Sequence, residues 1–279
     1  MTKHLTKPIR AINFLVLAFL MTLSSPVAAQ GLQKGHVAYE AGDYATAIKE
    51  WMPLAEAGDA LAQNSLGFMY QIGRGVPQDY KQSVKWYRLS ANQGNVESQL
   101  SLGASHATGQ GVPQDYKEAV KWYRLAAEQG YAQAQDFLGL SYSGGQGVTR
   151  NDKEANKWFR RAADQGLRSA QSSLGFSYEQ GLGVTKNYQE AVKWYRLASE
   201  QGHDISQHSL GFLYETGRGV LQDNIMAHMW YNLASATSVS LAWGKSRDEI
   251  AKKMTPADIS KAQAMARECI NSGYTKCGY

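Results

Sequence analysis

The sequence predicts an all-α fold in which pairs of helices stack into a solenoid. Three features recur every 36 positions along the 279-residue chain: a tryptophan, a Leu-Gly pair and a Gly-x-Gly-Val pattern. The tryptophans are Trp86, Trp122, Trp158, Trp194 and Trp230; the Leu-Gly pairs begin at 66, 102, 138, 174 and 210, and the glycine patterns at 73, 109, 145, 181 and 217. Five matches in three separate columns indicate a tandem array of one supersecondary unit.

The first 29 residues have the pattern of an export signal. Lys3, Lys7 and Arg10 precede an apolar run at 12–23, and Val27-Ala28-Ala29 forms a small-residue cleavage site. The run is interrupted and shorter than the about 20 apolar residues that a membrane span needs. We therefore expect cleavage before Gln30, no membrane span in the mature chain, and a periplasmic or secreted bacterial protein. An uncleaved anchor is the alternative.

The charge of the mature chain gives no support for a nucleic-acid partner. Removing the three basic residues of the signal lowers the formal net charge from +5 to +2, and nucleic-acid-binding domains carry a strong basic footprint. The remaining residues are sufficient for a substantial core, and no Pro/Ser-rich linker divides them.

Each repeat contains two helical patterns. In the first, Ala134, Leu138 and Tyr142 recur at i, i+4 and i+8, and Gly145 is a C-terminal glycine. In the second, Asp115 is a capping residue and Glu118 is placed to reach back to it as in a capping box. The apolar positions of the second helix are Ala119, Trp122, Tyr123 and Ala126, and this helix ends at Gly130.

The glycines inside the first helices need a compensating contact, because a glycine in a helix costs roughly 0.5 to 1 kcal/mol relative to alanine. Gly67 and its four equivalents repeat this cost in every unit. We expect the indole of the second helix, as in Trp86, to pack against this bare backbone.

These motifs resemble the Sel1-like repeat, a relative of the tetratricopeptide repeat. The segments AQxxLGxxYxxGxGV and DYxxAVKWYRLAAEQG carry the resemblance over residues 59–238, which we divide into five repeats of 36 residues. The resemblance implies a right-handed superhelical array of helix pairs. It also implies a role in protein interaction, as in regulators of sensor kinases, partners of envelope assembly machinery and secreted host-interaction factors.

Both ends of the array depart from the repeat. Residues 30–58 form an atypical first unit with a shorter, tetratricopeptide-like connection, and Trp51 aligns with the Tyr87 column instead of the Trp86 column. In the last repeat, Ile225, Met229 and Asn232 replace a charged row and Met226 replaces the cap glutamate, so this apolar end face needs a cover.

Residues 239–279 are predicted to supply that cover as a C-terminal helical cap. Thr255-Pro256-Ala257-Asp258 is a good helix start. The apolar face of the helix would comprise Ile259, Ala262, Ala266, Cys269 and Ile270. Cys269 and Cys277 are expected to form a disulfide in an exported chain. A free thiol or a metal ligand is the alternative.

Several motifs that suggest chemistry have a structural interpretation that we favour. The basic rows Lys81, Lys85, Arg88; Lys117, Lys121, Arg124; and Lys153, Lys157, Arg160 could bind an anionic polymer, but such rows are usually solvated faces paired with acids. The loop GQGVPQ at 109–114 resembles a phosphate loop, yet it follows a helix and recurs as a connector. His106, His203 and His208 match no common zinc spacing. We predict no metal site and no cofactor.

The positions that vary between units are the candidates for partner recognition. Solenoids bind along extended concave surfaces, usually through the first helix of each pair. The candidate partner-binding residues are Phe68, Tyr131, Phe137, Leu140, Phe176 and Phe212, with Gln99, Gln135 and Gln171. The glutamine column has two readings: an amide ladder between stacked helices, which we favour, or a row lining the groove. The column of Leu140 also has a second reading, packing between units.

The function expected from the sequence is a non-enzymatic interaction scaffold of the bacterial envelope that binds a protein or peptide as a monomer. No common catalytic motif is present in the sequence. Two alternatives remain: an envelope enzyme acting on cell-wall or β-lactam substrates, and a secreted host-factor-binding protein. The β-lactam activity associated with cysteine-rich relatives goes with a cysteine pair in each repeat, and this chain has none there.

Overall fold

The computed structural model describes residues 26–237 and 241–278, which form fourteen α-helices and no strand. The predicted export signal lies largely outside these residues, as does the predicted boundary between repeats and cap near 238. The helices are α1 Pro26–Glu40, α2 Tyr44–Glu56, α3 Ala60–Ile72, α4 Tyr80–Ala91, α5 Val96–Thr108, α6 Tyr116–Glu128, α7 Ala132–Gly144, α8 Asp152–Asp164, α9 Arg168–Gln180, α10 Tyr188–Ser199, α11 Asp204–Thr216, α12 Asn224–Thr237, α13 Leu241–Ala251 and α14 Pro256–Asn271.

Consecutive helices pack against each other from α1 to α12, and α12 also contacts α13 and α14. Each of α3, α5, α7, α9 and α11 is the first helix of a unit, and the helix that follows is its partner. This arrangement confirms the predicted all-α solenoid of paired helices. Among the described residues, none of the helices has the length and apolarity that would let it cross a bilayer.

The second helices begin at side-chain caps, as the sequence predicts. The carboxylate of Asp115 accepts hydrogen bonds from the backbone N–H groups of Lys117 and Glu118. Glu118 does not complete a capping box, and this detail of the prediction is wrong. The Asp115 N–H donates to the carbonyl of His106, and the Glu118 carboxylate pairs with Lys121 at 2.7 Å.

The loop that contains the glycine pattern connects the two helices of a unit and packs against the preceding unit. Gly109 ends α5 in the left-handed region, with φ 76°. Gly111 also has a positive φ, and a Cβ there would lie 2.1 Å from the carbonyl oxygen of Tyr80, at the start of the preceding second helix. Only glycine permits this close approach, which accounts for the connector motif in structural terms.

The glycine inside each first helix contacts the residue after the tryptophan, so the expected glycine–indole contact is wrong. A Cβ on Gly67 would lie 2.6 Å from Tyr87, and one on Gly139 would lie 2.6 Å from Phe159. The same relation joins Gly103 with Tyr123, Gly175 with Tyr195, and Gly211 with Tyr231. Neighbouring helical residues differ by about 100° in direction, so the tryptophan points elsewhere.

The tryptophans pack between successive units. Trp158 of α8 belongs to the apolar cluster of Ala119, Tyr123 and Ala126 on α6, the second helix of the preceding unit. Trp194 joins Phe159 and Ala162 on α8 in the same way. The repeated tryptophan is therefore a buried contact between units, whereas the adjacent Tyr or Phe joins the two helices within a unit.

The first unit reproduces the glycine–aromatic contact with a different aromatic residue. Trp51 of α2 lies over Gly35 of α1, where a Cβ would approach its Nε1 to 2.3 Å. Its indole N–H also donates to the carbonyl of Leu32 at 3.3 Å. Trp51 thus occupies the structural position of Tyr87, in agreement with the alignment of the sequence.

The C-terminal helices cover the last repeat. Met226 and Met229 of α12 are buried in one cluster with Ala262, Ala266 and Cys269 of α14. Thr255 caps α14 by accepting from the Asp258 N–H. Ile270 was expected on the buried face but is 43% exposed, whereas Cys277, which is joined to Cys269 by a disulfide, is fully buried.

Candidate partner-binding groove

The first helices form two grooves in which serine side chains lie beside aromatic rings. The C-terminal groove has a volume of about 420 Å³, and its lining includes Phe159, Ser173, Phe176, Tyr195 and Ser209. The N-terminal groove has a volume of about 250 Å³, and its lining includes Tyr39, Ser65, Phe68, Tyr87 and Ser101. Phe68, Tyr87 and Ser101 precede Phe176, Tyr195 and Ser209 by 108 residues, or three repeats. Equivalent positions of the array therefore form both grooves.

Phe137 separates the two grooves. It stands in the column that holds Ser65, Ser101, Ser173 and Ser209. Its ring stacks on Tyr123, with the centroids 5.3 Å apart and the planes at 16°. Tyr123 is 4% exposed beneath this ring, and the equivalent Tyr87 and Tyr195 are 2% exposed, so all three tyrosines are buried.

Three of the six apolar residues that the sequence nominated line these grooves. Phe68, Leu140 and Phe176 are respectively 39%, 44% and 51% exposed and line the groove walls. Phe212 is half-buried and contacts the C-terminal cluster, with the Arg218 guanidinium 5.3 Å from its ring centroid. Tyr131 packs against the cluster that includes Leu138, at the N-terminal end of α7. The structure therefore places Tyr131 and Phe212 outside the linings of both grooves.

The glutamine column forms a ladder inside the array. Gln135 is 4% exposed; its Nε2 donates to the carbonyl of Ala127, and its Oε1 accepts from Gln165 at 2.8 Å. Gln99 and Gln171 have the same exposure and the same pair of hydrogen bonds, with Gln129 and Gln201 as their amide donors. Because both polar groups are satisfied within the chain, these glutamines are structural, and their placement among the partner-binding residues is corrected.

The charged groups of the groove walls form ion pairs or hydrogen bonds within the chain. Arg150 and Asp152 form an ion pair with an N–O distance of 3.0 Å at the edge of the C-terminal groove. In the N-terminal groove, His36 lies 3.2 Å from Glu40, and Glu97 accepts from Asn64 at 3.0 Å. The C-terminal groove therefore presents mainly apolar surface and hydroxyl groups, whereas the Glu97 carboxylate of the N-terminal groove has a neutral amide as its partner.

The groove tyrosines are held in position by hydrogen bonds and remain protonated. The Tyr195 hydroxyl donates to the Glu179 carboxylate at 2.8 Å, and Tyr87 donates to Gln71 at 2.7 Å. Burial raises the pKa of Tyr195 and Tyr87 well above the usual value. Burial also raises the pKa of Tyr123 to about 12. These rings are therefore fixed in position and buried within the array.

Two buried polar residues near the grooves were missed by the sequence reasoning. Asn156 stands in a valine column with Val84, Val120 and Val192, and its amide nitrogen donates to the Leu182 carbonyl at 2.6 Å. Asp136, beside Phe137, accepts from the Ser169 hydroxyl at 2.6 Å, and burial raises the pKa of its carboxyl. Reading each column for its exceptional residue would have found Asn156, whereas the column of Asp136 differs in every unit and gives no such signal.

Arg124 and Arg160 of the basic rows form contacts between units, as does the equivalent Arg196. Arg124 donates to the hydroxyl of Tyr142 at 2.7 Å, and the equivalent pairs are Arg160 with Tyr178 and Arg196 with Tyr214. The lysines are exposed, and Lys121 and Lys157 pair with Glu118 and Glu154 on the same helix. The solvated-face interpretation therefore fits the lysines, whereas these three arginines join α6, α8 and α10 to the next unit.

The histidines have separate surroundings. His203 caps α11 by accepting from the Ser206 N–H. His208 stacks near Trp243, with centroids 5.6 Å apart, and lies 3.0 Å from the Ser246 hydroxyl. His106 is buried, at the position that is tyrosine in the other four repeats. Within the part of the chain that the structure describes, no group of three or more His, Cys, Asp or Glu side chains could hold a metal ion.

Comparison with known proteins identifies the repeat. The family model described as the Sel1 repeat matches residues 60–95, 96–131, 132–167, 168–203 and 204–236. These segments correspond to the helix pairs α3/α4 to α11/α12. The match confirms five repeats of the type that the sequence motifs resembled.

Solved structures show the same similarity. The structure of a Sel1 repeat protein from Oxalobacter formigenes has 30% identity and a TM-score of 0.75, covering 91% of this chain and 98% of its own. The protective antigen c5321 of uropathogenic Escherichia coli has 28% identity and a TM-score of 0.44, covering 88% of this chain and 70% of its own. No curated protein matches the chain.

Proposed function

The chain belongs to the Sel1 repeat family, and on that premise we propose that it is a non-enzymatic adaptor of the bacterial envelope that binds a protein or peptide segment along its first helices. Sel1 repeat proteins generally mediate protein–protein interactions, and the family match indicates no catalytic family. The observation that carries the proposal is the pair of grooves whose walls expose Phe68, Leu140 and Phe176.

These exposed residues stand out because the rest of the unit is constant. The leucines, glycines, glutamines and paired aromatics recur and are buried, whereas the column of Phe68, Leu140 and Phe176 varies and remains open to solvent. Exposed apolar patches bordered by polar residues are typical of interaction sites. A solenoid also gives such a surface the length that an extended segment needs.

The envelope location is the second part of the proposal. The N-terminal pattern of basic, apolar and small residues supports export. The disulfide between Cys269 and Cys277 supports an oxidising compartment such as the periplasm or the exterior. Fractionation of the native cells, with the mature N-terminus read by mass spectrometry, tests this part. A cytoplasmic protein that retains residues 1–29 would contradict it.

Site-directed photocrosslinking in the native cells tests partner binding. A benzoylphenylalanine residue is placed at Phe176 or Phe68, and the matched control places it at Leu125, which is 45% exposed on the second helix α6. We expect a discrete adduct from the groove positions that is absent from the control. Adducts from Leu125 alone, or the same adducts from all three positions, would contradict groove binding.

A further inference from the structure

We propose that the N-terminal groove is a subsite for a cationic side chain of the partner, with the carboxylate of Glu97 as its counter-charge and the ring of Phe68 as its apolar wall. This inference rests on the proposed function, because it names the chemical group that the adaptor recognises in one of its two grooves. The partner segment is accordingly one that carries an arginine or a lysine.

The Glu97 carboxylate offers a charge that the chain itself does not neutralise. Glu97 is an exposed residue in the first turn of α5 and lines the N-terminal groove. Its hydrogen bond comes from the neutral amide of Asn64, and within the described part of the chain it takes part in no ion pair. His36 also lines the groove, but its imidazole lies 3.2 Å from the Glu40 carboxylate on the same helix. A cation from outside can therefore pair with Glu97 without displacing a cation of the chain.

Two helices hold this carboxylate in place. Asn64 of α3 donates to Oε2 of Glu97 at 3.0 Å, and the side-chain oxygen of Asn64 accepts from the Ser98 hydroxyl at 2.7 Å. Ser98 is fully buried, so the Asn64 amide is fixed from inside the array. The hydrogen bond engages Oε2 and leaves Oε1 for a ligand. A group that is already oriented loses less freedom when the ligand binds.

The apolar part of the groove suits the stem of a basic side chain. Phe68 is 39% exposed, and its ring is supported by an edge-to-face contact with Tyr39, with centroids 6.2 Å apart. Lysine and arginine lay their methylene groups along apolar surface while the charged head stays near water. A cation is also attracted to the face of an aromatic ring. The groove volume of about 250 Å³ lies below the range of drug-sized ligand sites, which fits a single side chain.

The C-terminal groove lacks the free charge and serves as an internal comparison. Three repeats after Asn64 and Glu97 the chain has Ser172 and Ile205, and both of these line the C-terminal groove. Ile205 is 54% exposed, and the charged side chains of that groove form an ion pair with each other. The two grooves therefore have equivalent positions but different charge, and only the N-terminal groove should select a cation.

Binding of two matched pentapeptides to the full mature chain tests the inference. The probes are Ac-Ala-Ala-Arg-Ala-Ala-NH₂ and the same peptide with citrulline, the neutral isostere of arginine, at its centre; NMR of the ¹⁵N-labelled chain follows binding. We expect the arginine peptide to shift amides of the N-terminal groove and to bind about three- to tenfold more tightly than the citrulline peptide, since one exposed ion pair and one cation–π contact correspond to roughly that factor. About 0.5 M NaCl should reduce this preference. Absence of binding by the arginine peptide, or equal affinity for both peptides, would overturn the inference.

Substitutions in the groove assign the preference to its two parts. Glu97→Gln removes the charge, keeps an oxygen that can accept from Asn64, and should bring the ratio of the two affinities close to one. Glu128→Gln, at an exposed position of α6 outside both groove linings, changes the net charge equally and should leave the ratio unaltered. Phe68→Leu should weaken binding of the arginine peptide about two- to fivefold. Circular dichroism verifies the fold of each variant. A folded Glu97→Gln variant that keeps the full preference, or a Phe68→Leu variant that binds the arginine peptide as before, would overturn the inference.

Failure of this inference is distinguishable from failure of the proposed function. A partner crosslinked at Phe176 whose capture is unaffected by Glu97→Gln leaves the adaptor role intact and refutes the cationic subsite. Binding of the arginine peptide that is lost in Glu97→Gln, without any crosslinked partner, supports the subsite and counts against the adaptor role.

Discussion

A Cβ atom on Gly175 would lie 2.6 Å from Cδ1 of Tyr195, so the backbone of α9 is in direct contact with the face of this ring. This contact determines how a methyl group added at position 175 changes the free energy of unfolding. We expect Gly175→Ala to lower the free energy of unfolding by about 1 to 3 kcal/mol, because the ring must move in a packed interior. Urea denaturation of the purified chain measures the change.

Gly144 provides the matched control for this substitution. It is also a helical glycine, but a Cβ there would meet only the flexible Gln146 side chain, at 3.6 Å. Gly144→Ala should therefore raise the free energy of unfolding by roughly 0.5 to 1 kcal/mol, since it removes the entropic disadvantage of glycine. Equal effects of the two substitutions would contradict the packing role of Gly175.

Removing one side-chain amide of the glutamine ladder should make the folded chain less stable. Gln135→Leu removes two hydrogen bonds, although the Gln165 amide keeps the Arg161 carbonyl and the Ala127 carbonyl keeps the Gly130 N–H. We expect the free energy of unfolding to fall by about 1 to 3 kcal/mol. Gln133→Leu, at an exposed position on the same helix, is the control and should change it little. A neutral Gln135→Leu would show that the ladder contributes nothing to stability.

Because His106 is buried, we expect the folded chain to lose stability as the pH falls. Burial, followed by the positive charge of Arg88, lowers the pKa of His106 below the ordinary value near 6.5, although the nearby acids Glu118 and Asp115 oppose this and Lys121 adds to it. The unfolded chain therefore binds the proton first as the pH falls. The contribution of His106 to stability is present above about pH 6.5 and decreases below it, toward the lowered pKa of the folded state.

The repeat also supplies the variant that tests this pH dependence. Arg124, Arg160 and Arg196 donate to tyrosine hydroxyls 18 residues later, and Arg88 has the same relation to position 106. His106→Tyr should add such a hydrogen bond, worth about 0.5 to 1.5 kcal/mol. It should also reduce the difference in unfolding free energy between pH 7.5 and 5.5. An unchanged difference would contradict the assignment to His106.

Removal of the disulfide should destabilise mainly the C-terminal cap. Cys277 is buried and joined to Cys269 of α14, which packs with Met226 and Met229 of α12. Because the closed loop is short, we expect Cys277→Ser to destabilise the cap by about 2 kcal/mol. Hydrogen exchange should rise in α14 and α12 but not in α3 or α4. Uniform acceleration along the whole chain would contradict a local role.

The sequence was sufficient for the architecture because every unit repeats the same apolar, glycine and capping positions. It was not sufficient to decide which of Trp86 and Tyr87 meets Gly67. Both residues recur in every unit and lie next to each other, so their columns are equally regular. Only the direction of each side chain on the helix separates the contact within a unit from the contact between units.

The groove residues likewise divide into those that the sequence identified and contacts that it could not identify. The variable apolar column identified Phe68 and Phe176, which are exposed along it. The sequence could not show that the Phe137 ring stacks on Tyr123, because that contact joins two helices. It favoured an amide ladder for the glutamine column but could not identify Gln165, 30 residues later, as a partner of Gln135.

The connectivity of the helices has a mechanical consequence. The main packing contacts join helices that are adjacent or nearly adjacent along the chain, and the Arg124–Tyr142 and Gln135–Gln165 bonds span 18 and 30 residues. Stability in such an array is approximately a sum over neighbouring units. If the protein is pulled by its two ends, it should yield in successive steps, each releasing one helix pair, and shorten again by the same steps when the load is removed.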